Sequence, residues 1–413
     1  MELTRDEEAM LHGKYGGAKQ KAMEILLALG KIYGASRMIK VTSAQIAGVS
    51  YKTIGDAGLE YLKHMAALGG RVEIPSFLNP AGMDTEQWEE LGVPEDFAKK
   101  QIEILDAYST MGISTTCTCT PYLCGIRPAE GEHVAWSESS AVSFANSVLG
   151  ARTNREGGPS ALCAALCGAT PLYGLHLEEN RVARLIVRVE GKLENRADYG
   201  LLGLLVGREA KGRIPAFIFG ENTRGAGGGC PKTEEGCGAG CPKHSISESK
   251  LKYLGAAMAA SGSVPLYFVK GVTPEWRVDE GAEEIVVSQG QIMELKAKLN
   301  EADEADLITV GCPHASIEEL EEIAQLLERK PVKKPFWICL GRSVKKEAQD
   351  CGIAERIERG GGKLVADTCM VVSPLEEMGF SKTAIDSGKA SVYLPTMCKQ
   401  KLLFGKLEEI LWK

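Results

Sequence analysis

The apolar positions change period along this chain, and the changes mark its parts. Over residues 1–35, AMEILLALGKIY repeats apolar residues at helical spacing, behind Thr4 with Glu7 as its capping-box partner. MIKVTSAQIAGVSYKTIGDAG then predicts a short strand that runs into small residues at Gly48, Val49 and Ser50. A short helix over 58–69 follows. RVEIPSFLNPAG reads as a strand stopped at Asn79-Pro80, and 85–110 as a solvated helix pair rich in Glu and Lys. SESSAVSFANSVLGA and GGPSALCAALCGATP predict helices lined by small residues, which let other elements approach closely. RVARLIVRVE alternates as an exposed edge strand does. A mixed region, a Gly/Cys-rich insertion at 221–247, and a helix with a buried strand lead to a turn at Thr273-Pro274.

From about 285 the pattern becomes regular. ADLITVG, PFWICLG and KLVADTC are apolar strands separated by amphipathic helices, one opened by Ser316 with Glu319 at capping-box spacing. That alternation predicts a parallel sheet covered by helices, with ligand sites past the carboxyl ends of its strands. The expected organisation is an N-terminal α/β region over 1–284, itself two subdomains, and a C-terminal parallel α/β domain over 285–413.

Composition narrows the function. A net charge of −7 argues against a nucleic-acid or membrane surface as partner, and no apolar run approaches a transmembrane span. The N-terminus, MELTRDEEAM, has no signal-peptide core, so a cytoplasmic location with reduced thiols is expected. Thirteen scattered cysteines are then core residues or metal ligands rather than a disulfide framework.

Three of them, Cys117, Cys119 and Cys124, fall in STTCTCTPYLC. Cys312 and Cys369 each lie just past a predicted strand end, whereas Cys339 and Cys351 read as core. The widely separated set Cys119, Cys312 and Cys369 can hold a [4Fe–4S] cluster with one open iron, a Lewis acid for a substrate hydroxyl. Zinc is an alternative, and so is a nucleophilic cysteine, although none has an evident activating neighbour. Cys163 and Cys167 share one helical face as a metal pair or as packing. Cys230, Cys237, Cys241 and His244 in the insertion offer a second metal site or a plain loop.

Around these thiols stand candidate polar groups. Gly48, Val49 and Ser50 could cradle an anion or form an ordinary turn. Glu138 and Ser139 could bind substrate or move a proton. His314 could orient a ligand, act as acid–base or cap the next helix. Arg152 and Arg155 could clamp a carboxylate or phosphate, or pair with Glu156. Lys389 is a further anion contact. No Walker A pattern and no strand-borne GxGxxG is present, so a nucleotide cofactor has no support.

GVSYKTIGDAG, LNPAG, TCTPY, WSESSAVSFANSVLGARTNREGGPS, GCPHAS and ADTCMVVSPL, in this order, resemble the large subunit of the aconitase X family across nearly the whole chain. The resemblance implies an aconitase-like fold: several α/β/α domains with mainly parallel sheets around an interdomain cleft. It implies an iron–sulfur hydro-lyase, with Cys119, Cys312 and Cys369 as cluster ligands. It implies substrate contacts at Gly48, Val49, Ser50, Asn79, Pro80, Glu138, Ser139 and Lys389. Cys117 and Cys124 flank the first ligand and could replace it in another cluster form. The family dehydrates either (R)-mevalonate 5-phosphate, in an archaeal route to isoprenoids, or cis-3-hydroxy-L-proline; the wording of this sequence resembles the former more. A separate small subunit, similar to aconitase's swivelling domain, is implied and could carry the general base; Glu138 and His314 are alternatives within this chain. The rival outside enzymology is a metal-binding scaffold without chemistry.

Overall fold

The protein is described by a computed structural model covering residues 1–220 and 246–412. The cysteines of the insertion, Cys230, Cys237 and Cys241, lie outside the described residues. The first part begins with α1 (Arg5–Leu11), capped by Thr4 and Glu7 as expected, and α2 (Gly17–Ile32). It continues with β1 (Met38–Lys40), β2 (Ala44–Ile46), α3 (Tyr51–Ala67), β3 (Ser76–Leu78), α4 (Glu95–Thr110), β4 (Ala135–Trp136), α5 (Ser139–Ser147), α6 (Gly158–Cys167) and β5 (Ala169–Pro171). β2 is the middle of a parallel sheet ordered β3-β2-β4. Cys163 and Cys167 are buried among Ala and Leu of α6, in the core that this part forms with α2 and α3.

Two expectations about this part change. Helix α3 starts at Tyr51 rather than near 58, with a kink at Gly55 (φ 58°, ψ −163°) that breaks the periodic signal. Residues 85–110 hold one helix, not two. Over 85–92 the chain turns instead, because the buried Asp84 carboxylate accepts the Glu86 and Gln87 N–H groups.

The second part runs β6 (Ala183–Val189), α7 (Arg196–Ala210), β7 (Pro215–Phe219), α8 (Glu248–Gly262), β8 (Phe268–Val269), β9 (Val278–Val287) and α9 (Gln289–Lys298). Its parallel sheet is ordered β8-β7-β6-β9. β6 is therefore interior, not an edge. Its alternation arises because one face packs on the core while Arg184 and Arg188 face outward, toward Asp279 and Glu284. β9 straddles the expected boundary at 284–285.

The third part is the regular one: β10 (Leu307–Val310), α10 (Ile317–Arg329), β11 (Phe336–Leu340), α11 (Arg342–Asp350), α12 (Ile353–Arg359), β12 (Gly362–Ala366), β13 (Lys382–Ile385), α13 (Gly388–Met397), β14 (Lys401–Phe404) and α14 (Leu407–Leu411). All five strands are parallel, ordered β12-β11-β10-β13-β14. The order reverses between β10 and β13, which makes that gap the switch point where open α/β sheets hold ligands. The chain is thus an α/β protein built on several parallel sheets, the last of which the alternation predicts and the others the resemblance implies.

The first and third parts meet at the carboxyl ends of their strands. Ala81 N–H donates to the Asp367 carbonyl, and Ser50 Oγ donates to the Val372 carbonyl at 2.9 Å. Arg342 donates to the carboxylates of Asp84, Glu86 and Asp367 together. Among the described residues no helix is long and apolar enough to cross a membrane.

Candidate active site

Six strand ends supply this site. Past β2 come Gly48, Val49 and Ser50; past β3, Asn79 and Pro80; past β4, Glu138 and Ser139. From the facing sheet come Cys312 past β10, Cys369 past β12 and Lys389 past β13. Cys119 lies on the segment beside β3, where Thr118 N–H donates to the Leu78 carbonyl. Each thiol follows a left-handed residue: Cys119 after Cys117 (φ 44°), Cys312 after Gly311 (φ 88°) and Cys369 after Asp367 (φ 64°). Two of these are not glycine, and such strained positions persist only where surrounding contacts enforce them. For Asp367 those contacts are Arg342 and Thr85.

The three thiols are buried and lie within electrostatic reach of one another. Burial pushes Cys119 up to about 12, with Lys389 opposing, and drives Cys312 well above the ordinary thiol range. Cys369 is also raised by burial against the pull of Lys389. Left alone they are thiols, so cationic charge nearby is what would make them thiolates. Cys117 and Cys124 have other partners: the Ala81 N–H for Cys117, and the Ser343 and Thr118 hydroxyls for Cys124.

Glu138 and Lys389 form a buried ion pair across the two sheets. Glu138 is also the N-cap of α5: its carboxylate accepts from Ala141 N–H at 2.7 Å and from the Ser140 hydroxyl at 2.5 Å. Burial would raise this carboxyl, but Lys389 and then these hydrogen bonds outweigh it and hold it below the usual range. Lys389 is likewise held above its ordinary value: burial alone would lower it, and Glu138, then Cys312 and Cys119, overcome that. The expectation of Glu138 as a general base meets this geometry badly. Both carboxylate oxygens are engaged, and a carboxylate so stabilised is a poor proton acceptor.

His314 differs from expectation in the same way. Its ring is fully buried, with Nε2 2.9 Å from the Thr368 carbonyl and Nδ1 3.0 Å from Thr118 Oγ. A carbonyl only accepts, so Nε2 carries the proton; burial holds the imidazole down at about 3, so Nδ1 is the acceptor. Neither nitrogen is free for acid–base work. Nor does His314 cap α10, which Ser316 and Glu319 do.

The arginines lie elsewhere. Arg152 faces Glu178 at 4.0 Å, and Arg155 donates to the Ala259 carbonyl and Ser263 Oγ at the end of α8. Neither pairs with Glu156, whose carboxylate accepts from Ser160 and Thr170. Gly158 of the NREGGP block has a steric role. A Cβ there would sit 2.3 Å from the Ala47 carbonyl oxygen, so only glycine lets α6 approach the Gly48–Ser50 turn.

Sequence reading missed Thr118, Asp367, Arg342 and Ser387, whose hydroxyl donates to the Cys312 carbonyl. Thr118 and Asp367 adjoin the cysteines in TCT and DTC, and that adjacency was the available signal; Arg342 had none. Asn79 Oδ1 and Tyr122 Oη are buried without a hydrogen-bond partner among the described residues. Tyr122 is within electrostatic reach of Cys119 and Glu138. Among the described residues no three His, Cys, Asp or Glu side chains converge to hold a single metal ion. A cavity of about 830 Å³ is walled in part by Tyr122, Arg196, Lys252, Glu319 and Asp386, and no cysteine among the described residues lines it. Lys252 Nζ donates to the His314 carbonyl at 2.9 Å.

Comparison with known proteins agrees along the whole chain. Models of the aconitase X first, second and third domains match residues 1–179, 183–297 and 305–413. The phosphomevalonate dehydratase large subunit of Methanothermobacter thermautotrophicus is 50% identical over 400 residues, covering 96% of this chain and 94% of that one. Its counterpart from Methanocaldococcus jannaschii is 48% identical, covering 100% and 99%. A cis-3-hydroxy-L-proline dehydratase of Pseudomonas aeruginosa is 34% identical, covering 98% of this chain but 68% of its own length. The crystal structure of Thermococcus kodakaraensis aconitase X in its holo-form superposes with a TM-score of 0.88 at 43% identity, covering 100% of this chain and 99% of that one. The chain belongs to the aconitase X family.

Proposed function

We propose that this chain is the large subunit of a hydro-lyase that dehydrates (R)-mevalonate 5-phosphate to trans-anhydromevalonate 5-phosphate, in a mevalonate-type route to isoprenoids. The observation that carries the substrate is the contrast in relatedness. Two chains named phosphomevalonate dehydratase large subunit are 48–50% identical and nearly co-extensive, whereas the hydroxyproline dehydratase is 34% identical and longer by about a third of its length. The same names support a small-subunit partner.

Cys119, Cys312 and Cys369 would hold an iron–sulfur cluster, [4Fe–4S] in the form that leaves one iron uncommitted. The donor set suits it: three buried thiols within electrostatic reach of one another and of Lys389. Bound there, such a cluster would supply a Lewis acid for the departing hydroxyl.

The chain's own residues bind and orient. Lys389, fixed by Glu138, presents an ammonium that favours the thiolates and can contact the substrate carboxylate. Ser50, the Gly48–Val49 backbone, Asn79, Pro80 and Ser139 form the facing wall. Asn79 supplies a buried acceptor that has no hydrogen-bond partner among the described residues. With Glu138 and His314 both committed to hydrogen bonds, the base that removes the proton alpha to the carboxylate is assigned to the small subunit.

The test is anaerobic co-purification with the small subunit, followed by both candidate substrates and NMR of the products. Dehydration of phosphomevalonate is expected. Turnover of cis-3-hydroxy-L-proline alone, or of neither compound, would overturn the reading.

A further inference from the structure

Three loops must be held in mutual register if three thiols are to meet one inorganic group, and no two of the cysteines share a loop. Arg342 ties the Cys369 loop to Asp84 and Glu86, but among the described residues its hydrogen bonds do not extend to the Cys119 or Cys312 segments. One side chain does reach all three. The loop of Cys312 continues through Pro313 into His314. From there the imidazole Nε2–H donates to the carbonyl of Thr368, directly before Cys369, at 2.9 Å. Its Nδ1 accepts from the hydroxyl of Thr118, directly before Cys119, at 3.0 Å. The backbone N–H of His314 also donates to Cys119 Sγ at 3.3 Å.

We propose that His314 is a positioning residue whose imidazole pins the Cys119 loop to the Cys369 loop while its own chain carries Cys312, so that one side chain sets the spacing of all three thiols. The proposal rests on the reading of those thiols as ligands of a single iron–sulfur group.

The hydroxyl of Thr118 is oriented for this task. It accepts from Thr120 N–H at 3.1 Å; because Nδ1 carries no proton, the Thr118 proton goes to it, and the Thr120 hydroxyl at 3.2 Å and the Cys124 thiol face the same oxygen as donors. The pin is anchored from behind as well. Lys252 Nζ, 2.9 Å from the His314 carbonyl and 2.9 Å from Glu319, fixes the backbone, and the Ser387 hydroxyl fixes the carbonyl of Cys312. His314 is fully buried and rigidly held, so a change of its ring is transmitted to the loops rather than absorbed by solvent.

Two variants test this. His314→Gln keeps a donor for the Thr368 carbonyl but shortens the reach to Thr118. Thr118→Val keeps the shape of the threonine and removes only the hydroxyl. Three readouts are taken on each: iron and sulfide content after anaerobic reconstitution, the electron paramagnetic resonance line shape of the reduced protein, and alkylation rates of Cys119 and Cys369 in the metal-free protein by mass spectrometry. Both variants should retain several-fold less iron and sulfide and show a broadened or shifted line shape. In both, the metal-free thiols should alkylate several-fold faster, while turnover per remaining cluster stays near that of the wild type.

Full iron content with turnover abolished in His314→Gln would make His314 a catalytic residue and overturn the proposal. Unchanged iron, line shape and alkylation in both variants would reduce it to an ordinary core histidine, with the same result. If His314→Gln fails to fold, Thr118→Val decides alone. Wild-type protein that binds no iron–sulfur group refutes the parent reading instead, and the alkylation rates then still report whether His314 holds the loops.

Discussion

At the scale of single residues, the buried pair of Glu138 and Lys389 is a group whose disruption is costly. Its two carboxylate oxygens and its ammonium are removed from water, and each charge is tolerable only because of the other. Lys389→Met should therefore cost about 3–5 kcal/mol of stability, because it strands a buried carboxylate. Adding Glu138→Gln to Lys389→Met should recover most of that loss but none of the activity. Denaturant unfolding and turnover of the assembled enzyme would check both halves; a double variant as unstable as the single one would mean that the ion pair is not the source. Residue identity was also what could be read in advance. Cys312 and Cys369 stand out in a βα pattern because both fall just past strand ends, where open α/β sheets hold ligands. Arg342 could not be found that way, and Thr118 only through its adjacency to Cys119. Their partners, Asp84 and His314, are remote in sequence and become neighbours only once two sheets face each other.

Elements bring these residues together through close approach. The small residues that make SFANSVLGA and GGPSALCAAL recognisable are the ones that let helices dock on strand-end turns. Gly158 sits against the Ala47 carbonyl, immediately before Gly48 and Ser50, and the obstacle is backbone, which no rotamer change can relieve. Gly158→Ala should cost about 1–3 kcal/mol by overpacking and should displace the Gly48–Ser50 turn. The kinetic signature would be a rise in KM larger than the fall in kcat, measured on the assembled enzyme; an unchanged KM would show that the turn does not touch substrate. Gly200 and Gly388 repeat the device, since a Cβ on Gly388 would fall 2.7 Å from the Gly200 carbonyl, and this contact seats the start of α13 next to Lys389. Sequence patterns located most helices and strands but misjudged the context of a few. β6 alternates because one face is solvated, which an edge strand and an interior strand of an exposed sheet share. α3 lost its first turns to Gly55, whose backbone conformation interrupts the period without ending the helix.

For the molecule as a whole, acid is the condition to which the fold should be most sensitive. His176 is buried against His133, with Nδ1 of the two rings 2.9 Å apart, and burial together with His133, Arg181 and Arg152 holds it down at about 3. An unfolded histidine titrates near 6.5, so the folded state binds fewer protons below that value. The stability that goes with the neutral ring is fully present above about 6.5 and drains away as the pH falls toward 3. At pH 5 the loss from this one group is about 2 kcal/mol. His176→Gln should therefore show a flatter fall in unfolding free energy between pH 7 and pH 5 than the wild type does, and parallel curves would remove His176 from the account. The larger architecture was legible where it was regular. Strands alternating with helices over the last part announced a parallel sheet, and its switch point does carry Cys312 and Lys389. The facing of a second parallel sheet across the cleft was not, because nothing local encodes how two sheets orient toward each other.

The left-handed residue ahead of each thiol has a consequence for how the protein matures. Cys119, Cys312 and Cys369 are far apart in the chain, and each is aimed only once its own turn has been forced into place by neighbours such as Arg342. A nascent or denatured chain thus holds the three thiols far apart, since bringing three such distant segments together is entropically costly. Under the proposed function, an iron–sulfur group at these thiols would then be loaded after folding, into a finished cleft, rather than serve as a nucleus around which the polypeptide collapses.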